Sequence, residues 1–126
     1  MAEAAIRDVI RSAYFEGVYL EQNEEKVTAG FHPQFRMLVK KENDLAEVSA
    51  PELLASVRTR REKDPALFEA ALSCEVPTVA VEGTAAVARI EIYREDVHWF
   101  TDFFSLYLFP DGWKVVAKIY HAHPTG

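Results

Sequence analysis

His98-Trp99-Phe100-Thr101-Asp102-Phe103-Phe104-Ser105-Leu106-Tyr107-Leu108-Phe109, then Pro110-Asp111-Gly112, then Trp113-Lys114-Val115-Val116-Ala117-Lys118-Ile119-Tyr120-His121 is the stretch that decides the fold. Two long runs rich in aromatic and β-branched residues flank a turn, the pattern of a β-hairpin. Proline pre-sets the turn and glycine supplies its left-handed position. If Phe109 pairs with Trp113, then Phe104 faces Lys118 and Asp102 faces Tyr120. Strand alternation then puts Phe100, Asp102, Phe104, Leu106 and Leu108 on one face with Lys114, Val116, Lys118 and Tyr120. The other face carries Trp99, Thr101, Phe103, Ser105, Tyr107 and Phe109 with Trp113, Val115, Ala117, Ile119 and His121. Both faces are apolar and need cover, one from helices and a pocket, the other from a second subunit. The pattern leaves open which face is which.

Upstream of this hairpin, Thr84–Tyr93 and a β-rich segment from Phe68 to Val81 meet at the Glu82-Gly83 turn, and Pro77 marks a bulge or an edge. Ser49-Ala50-Pro51-Glu52 is a capping box opening a helix that should stop near Asp64-Pro65. Before it, Phe35–Lys41 reads as a strand, Asn43-Asp44 as a turn and Leu45–Val48 as a short partner. Asn23 caps a short helix with Glu24 and Glu25 in its first turn, ended by Gly30. At the start, Ile6, Val9, Ile10, Ala13, Tyr14, Gly17 and Leu20 form one helical stripe, which Phe15, Val18 and Tyr19 widen. The order is helix, helix, hairpin, helix, four-strand meander, and it defines a single α+β domain over 1–126.

The composition is that of a globular protein: 126 residues, 49% hydrophobic and 27% charged. A net charge of −6 argues against a binder that tracks nucleic-acid phosphates, so no nucleic acid is expected. The one basic cluster, Arg58, Arg60, Arg61 and Lys63, fits a solvated helix end. Met1–Tyr14 has no uninterrupted apolar core, so neither a secretory signal nor a membrane span is expected. A single cysteine, Cys74, fits a reducing compartment and hence a cytoplasmic location, and its strand context reads as a packed thiol.

The first helix with Tyr14 and Gly17, the Phe31-His32-Pro33 element, and Phe100-Thr101-Asp102 followed by Asp111-Gly112-Trp113-Lys114-Val115-Val116-Ala117-Lys118 resemble the nuclear transport factor 2-like superfamily. Within it they are most similar to the group labelled "putative lumazine-binding", neighbours of the SnoaL-like polyketide cyclases. The resemblance implies a cystatin-like cone, a strongly curved antiparallel sheet whose mouth is closed by three N-terminal helices around a pocket, often as a homodimer. It implies either a binding module or an enzyme of the cyclase, isomerase or dehydratase type, because one fold serves many functions.

Candidate site residues follow from the hairpin register. Asp102 and Lys118 are diagonal neighbours beside Phe100, Phe104 and Tyr120, an environment in which pKa values move. Asp102 is the candidate proton acceptor or orienting carboxylate, and Lys118 an anion anchor or simply its counter-ion. Tyr14 either turns its hydroxyl into the cavity or satisfies it on backbone. His32 is either a second proton-transfer group or a loop anchor. The expected ligand is small and apolar or aromatic, with no cofactor. The four histidines lack metal-ligand spacing: His121 and His123 share a strand side near the chain end, and His32 and His98 stand alone, so no metal is expected.

Overall fold

The computed structural model describes residues 1–124. Its six strands form one sheet in the order β2-β1-β6-β5-β4-β3, with β1 at Phe31–Lys41, β2 at Asp44–Val48, β3 at Leu72–Glu82, β4 at Ala85–Arg94, β5 at Val97–Phe109 and β6 at Gly112–Ala122. All neighbours are antiparallel except β1 and β6, which run parallel. The helices are α1 (Ala2–Val9) with a π-helical continuation over Ile10–Leu20, α2 (Glu24–Gly30), α3 (Ala50–Lys63) and the single turn α4 (Ala66–Glu69). This is the expected α+β arrangement. The sheet is open at β2 and β3 and is not strongly curled, so it is flatter than the expected cone.

Local chemistry accounts for most boundaries. Asn23 accepts from the Lys26 N–H and starts α2, and the Ser49–Glu52 box caps α3 from both sides. Pro65 does more than stop α3. Its fixed φ suits a helix start, and the Leu67 and Phe68 amides fold back on Asp64 and Pro65. The segment expected to be strand from Phe68 therefore begins with α4, and β3 starts only at Leu72. At the other end, Phe31-His32-Pro33 belongs to β1 itself, where the register against β6 shifts between Phe31 and Arg36. Pro33 has no N–H to give, which suits an irregular stretch.

The first helix departs from the expected stripe. On an α-helix, residues five apart stand about 140° from one another. The wider winding over Ile10–Leu20 brings Tyr14 and Tyr19 onto one face, their rings edge to face at 5.3 Å. Val18 and Tyr19 consequently enter the core, while Leu20 is turned out to solvent.

Three bulges adjust the sheet. The first skips past Pro77 between β3 and β4. The second sits at Trp99, because Ile92 faces Phe100 and Tyr93 faces His98. The third is at Val116, because Leu106 faces Val115 while Ser105 faces Ala117. The turn after β5 is one residue shorter than expected, with Phe109 paired to Gly112. Near the turn it is therefore Trp113 and Val115 that are buried, in place of the expected Lys114 and Val116. The extra residue at Val116 restores the register, and Phe104 faces Lys118 as anticipated.

The core lies between the helices and the sheet face carrying Phe100, Phe104, Leu106, Ile90, Ile92 and Val115. Gly30 is where α2 meets the first helix: a Cβ there would stand 2.3 Å from the Cβ of Ala13. Gly30→Ala should therefore cost about 1–3 kcal/mol of unfolding free energy, the usual penalty of overpacking. Urea denaturation measures it, and an unchanged midpoint would contradict this close packing.

Candidate functional site

Three polar side chains meet inside the apolar layer. Tyr14, from the π-helical segment, and Asp102, from β5, are both 0% exposed, and Lys118, from β6, is 4% exposed. Tyr14 Oη donates to Asp102 Oδ2 at 2.5 Å, and Lys118 Nζ donates to Tyr14 Oη at 2.8 Å. The ammonium stands 3.7 Å from Asp102 Oδ1, an oxygen that makes no hydrogen bond. Lys118 Nζ also lies over the rings of Tyr14 and Tyr120, at 4.7 and 5.2 Å.

Burial dominates the electrostatics. It raises the Asp102 carboxyl, against the opposing pull of Lys118 and the Tyr14 hydrogen bond. It lowers Lys118, against the attraction of Asp102. It also lifts the Tyr14 phenol well above its ordinary value, with the Asp102 charge adding to the effect. Each charge is tolerated because the other is there. Cys74, by contrast, is pushed up to about 12 by burial, then by Asp102 and Glu75, which leaves a protonated, unreactive thiol.

The space beside this triad is small. A cavity of about 80 Å³ lies between α3, the π-helical segment and the sheet, with Tyr19, Phe100, Arg60, Lys118 and Tyr120 in its wall. Ligand pockets usually measure about 300–1,000 Å³. Of the triad, only Lys118 reaches this space; Asp102 and Tyr14 are sealed behind it. The cavity wall thus holds two cations, Arg60 and Lys118, among aromatic rings.

Of the residues singled out in the sequence, Tyr14, Phe100, Phe104, Asp102, Lys118 and Tyr120 lie together on the helix-covered face, and the Tyr14 hydroxyl is satisfied by side chains rather than by backbone. Tyr14 and Phe104 pack edge to face at 4.8 Å, and Phe100 and Tyr120 at 5.7 Å. His32 is elsewhere. Its ring stacks on Phe109 at 4.8 Å, its Nδ1 accepts from the Gln34 N–H, and it borders a different groove with Pro33, Leu54 and Arg58. Sequence reasoning missed Arg60, hidden in a cluster read as a solvated helix end. Two of its neighbours also have structural work: Arg58 donates to the Gln22 carbonyl and Arg61 to that of Leu20, tying α3 to the carbonyl end of the first helix.

The fold is that of a nuclear transport factor 2-like protein. The architecture is similar to that of such a protein of unknown function from Shewanella baltica OS155, at 27% identity and a TM-score of 0.77, over 98% of this chain and 94% of that one. A second, from Silicibacter pomeroyi DSS-3, is 17% identical with a TM-score of 0.71, over 96% and 95% of the two chains. A cystatin-like domain of unknown function from Nostoc punctiforme PCC 73102 is 16% identical with a TM-score of 0.70, over 98% and 78%. The family model described as "Putative lumazine-binding" matches residues 1–121, and the chain belongs to that family. Among curated proteins, no relative of the chain is found.

Removing one partner of a buried pair leaves an uncompensated charge, so Asp102→Asn and Lys118→Met should each cost about 3–5 kcal/mol. The double variant should lose clearly less than the sum. Guanidinium denaturation of the four proteins measures the coupling, and strict additivity would show that the two groups do not sense each other.

Proposed function

We propose that this chain is a small-molecule-binding protein that takes up a small aromatic ligand bearing an anionic group, with Lys118 as its anchor. The observation that carries this reading is the position of Lys118: a buried ammonium, hydrogen-bonded behind to Tyr14, is the one member of the triad in the wall of a cavity whose lining includes Tyr19, Phe68, Phe100 and Tyr120 along with aliphatic side chains, with Arg60 beside it. An incoming carboxylate or ionised heterocycle meets two cations there, and aromatic walls suit a flat ring. The cavity is only about 80 Å³, so uptake requires α3 and the first helix to part from the sheet. The family description, which names a lumazine, agrees with a flat heterocycle.

Membership of the cyclase, isomerase or dehydratase type is the second reading. Its support is Asp102: a carboxylate with one oxygen free of hydrogen bonds and a raised pKa is equipped to accept a proton. Binding is favoured because that carboxylate does not reach the cavity wall. His32 has no part in either reading, since it lies on another groove.

The outer sheet face supports assembly as a homodimer. Val87, Phe103, Tyr107 and Ile119 are each 44% exposed or more, and a cluster of exposed apolar side chains on one face is a feature of interaction surfaces. A groove of about 610 Å³ runs among Val87, Phe103 and Ile119, beside Thr78 and Arg89. A second copy laid face to face would bury it. We place the dimer in the cytoplasm on the strength of its unpaired cysteine; among the described residues no helix is long and apolar enough to cross a membrane.

Thermal shift and calorimetry against aromatic carboxylates and pteridine-like heterocycles test the binding. A ligand at a hundredfold its Kd should add about 2.7 kcal/mol of stability. Lys118→Met should abolish the effect, whereas binding that survives this change would remove the anchor from the reading. Turnover of any such compound that disappears in Asp102→Asn would favour the enzyme instead.

The dimer has its own measurement. Light scattering should give twice the 14.3 kDa chain mass, and Phe103→Glu should return the monomer. A native chain that is already monomeric at micromolar concentration would overturn the interface.

A further inference from the structure

The outer face has a second character at the end remote from the β5–β6 turn. Three potential metal ligands stand there, Glu91 on β4, His98 on β5 and His123 just beyond β6, with their ligand atoms all within 4.8 Å of one another. His98 Nε2 is 3.0 Å from Glu91 Oε1. His123 Nε2 is 2.8 Å from Thr101 Oγ1, which in turn lies 3.3 Å from His98 Nε2 and donates to Glu91 Oε1. The two imidazoles stack with centroids 3.8 Å apart.

Each group arrives there for a physical reason. Glu91 faces Thr101 in the β4–β5 ladder. The bulge at Trp99 turns the indole inward against Phe100 and sets His98 opposite Tyr93, whose ring it stacks on at 4.7 Å. The ladder between β5 and β6 is prolonged by the His123 N–H donating to the Trp99 carbonyl, which brings the second ring to the same spot. The carboxylate is held from behind: Arg89 Nε bonds Oε2 at 2.9 Å, leaving Oε1 directed at the rings. Glu91 itself is buried, at 8% exposure.

We propose that Glu91, His98 and His123 form a binding site for a divalent first-row transition ion, zinc being the ion their chemistry fits best. Two imidazoles and one carboxylate are a known donor set for zinc, in which three protein ligands leave a fourth position open. Ligand atoms about 2.1 Å from a common tetrahedral ion stand roughly 3.4 Å apart, so separations of up to 4.8 Å must close by up to about 1.4 Å. His123 can make that movement, since it lies beyond the last residue of β6, tied among the described residues by its N–H to the Trp99 carbonyl. Arg89 and Thr101 supply the outer hydrogen bonds that orient a ligating carboxylate. Hydrogen bonds alone can also hold the four groups, with His98 donating to Glu91 and His123 to Thr101. The two states differ in one measurable property, affinity for the ion.

The test uses the full chain without a histidine tag, stripped with a chelator and titrated calorimetrically with zinc. One equivalent per chain should bind with micromolar affinity or better. His98→Ala and His123→Ala should each weaken it by at least about tenfold, the least that loss of a ligand or its support costs. Glu91→Gln should do the same if circular dichroism shows it folded, and His32→Ala should bind as the native chain does. No binding at millimolar zinc would overturn the site. So would an affinity unchanged in both histidine variants, which would leave only the hydrogen-bonded chain.

Discussion

The structure depends on one unfavourable act, the placing of an ammonium and a carboxylate inside an apolar layer. Neither Asp102 nor Lys118 could be held there alone, and their separation of 3.7 Å is too long for a direct hydrogen bond of good geometry. Tyr14 closes the circuit by donating to one and accepting from the other. The phenol must therefore sit at one depth and one angle. That requirement reaches back to the first helix, to the Gly30–Ala13 contact that seats α2 against it, and to the arginines of α3 that hold its end.

Local departures from ideal geometry serve this requirement. The π-helical winding sets Tyr19 below Tyr14, so the phenol pair packs as a unit on the sheet. The extra residue at Val116 keeps Lys118 opposite Phe104 despite a turn one residue shorter than the sequence pattern suggests. The bulge at Trp99 stacks the indole on Phe100 while sending His98 to the opposite face. Bulges and π-turns lower local regularity, and they recur where a side chain has to be aimed.

These same features explain what could be read in advance. Capping boxes, turn residues and alternation are local, so α3, the β5–β6 hairpin and the Asp102–Lys118 diagonal were legible from residue types alone. The diagonal survived because the short turn and the Val116 bulge offset each other between Phe109 and Ser105. Winding and bulges, by contrast, are chosen by tertiary packing. Nothing in the helical pattern distinguishes Tyr19 from Leu20, and alternation put Trp99, Trp113 and Val115 on the wrong face. The parallel pairing of β1 with β6 and the meeting of Glu91, His98 and His123 are contacts between distant segments, which spacing along a chain does not encode.

Burial also decides how the triad answers a ligand on the binding reading. Lys118 is held below its ordinary pKa by desolvation, so the pocket gains most from a ligand whose negative charge favours the ammonium. As that charge arrives, Lys118 has less need of Asp102, whose carboxyl already lies above its usual range and would move further up. Protonation from solvent, rather than a second cation, would then compensate Asp102, which keeps its hydrogen bond from Tyr14. On that reading, ligand uptake and a proton at Asp102 would be coupled through groups that touch one another, Lys118 being the member of the triad that the ligand meets. The same coupling accounts for why one buried triad supports a binding reading and a proton-transfer reading without any change of residues: what separates them is whether the cavity opens far enough for the ligand to pass Lys118 and meet the free oxygen behind it.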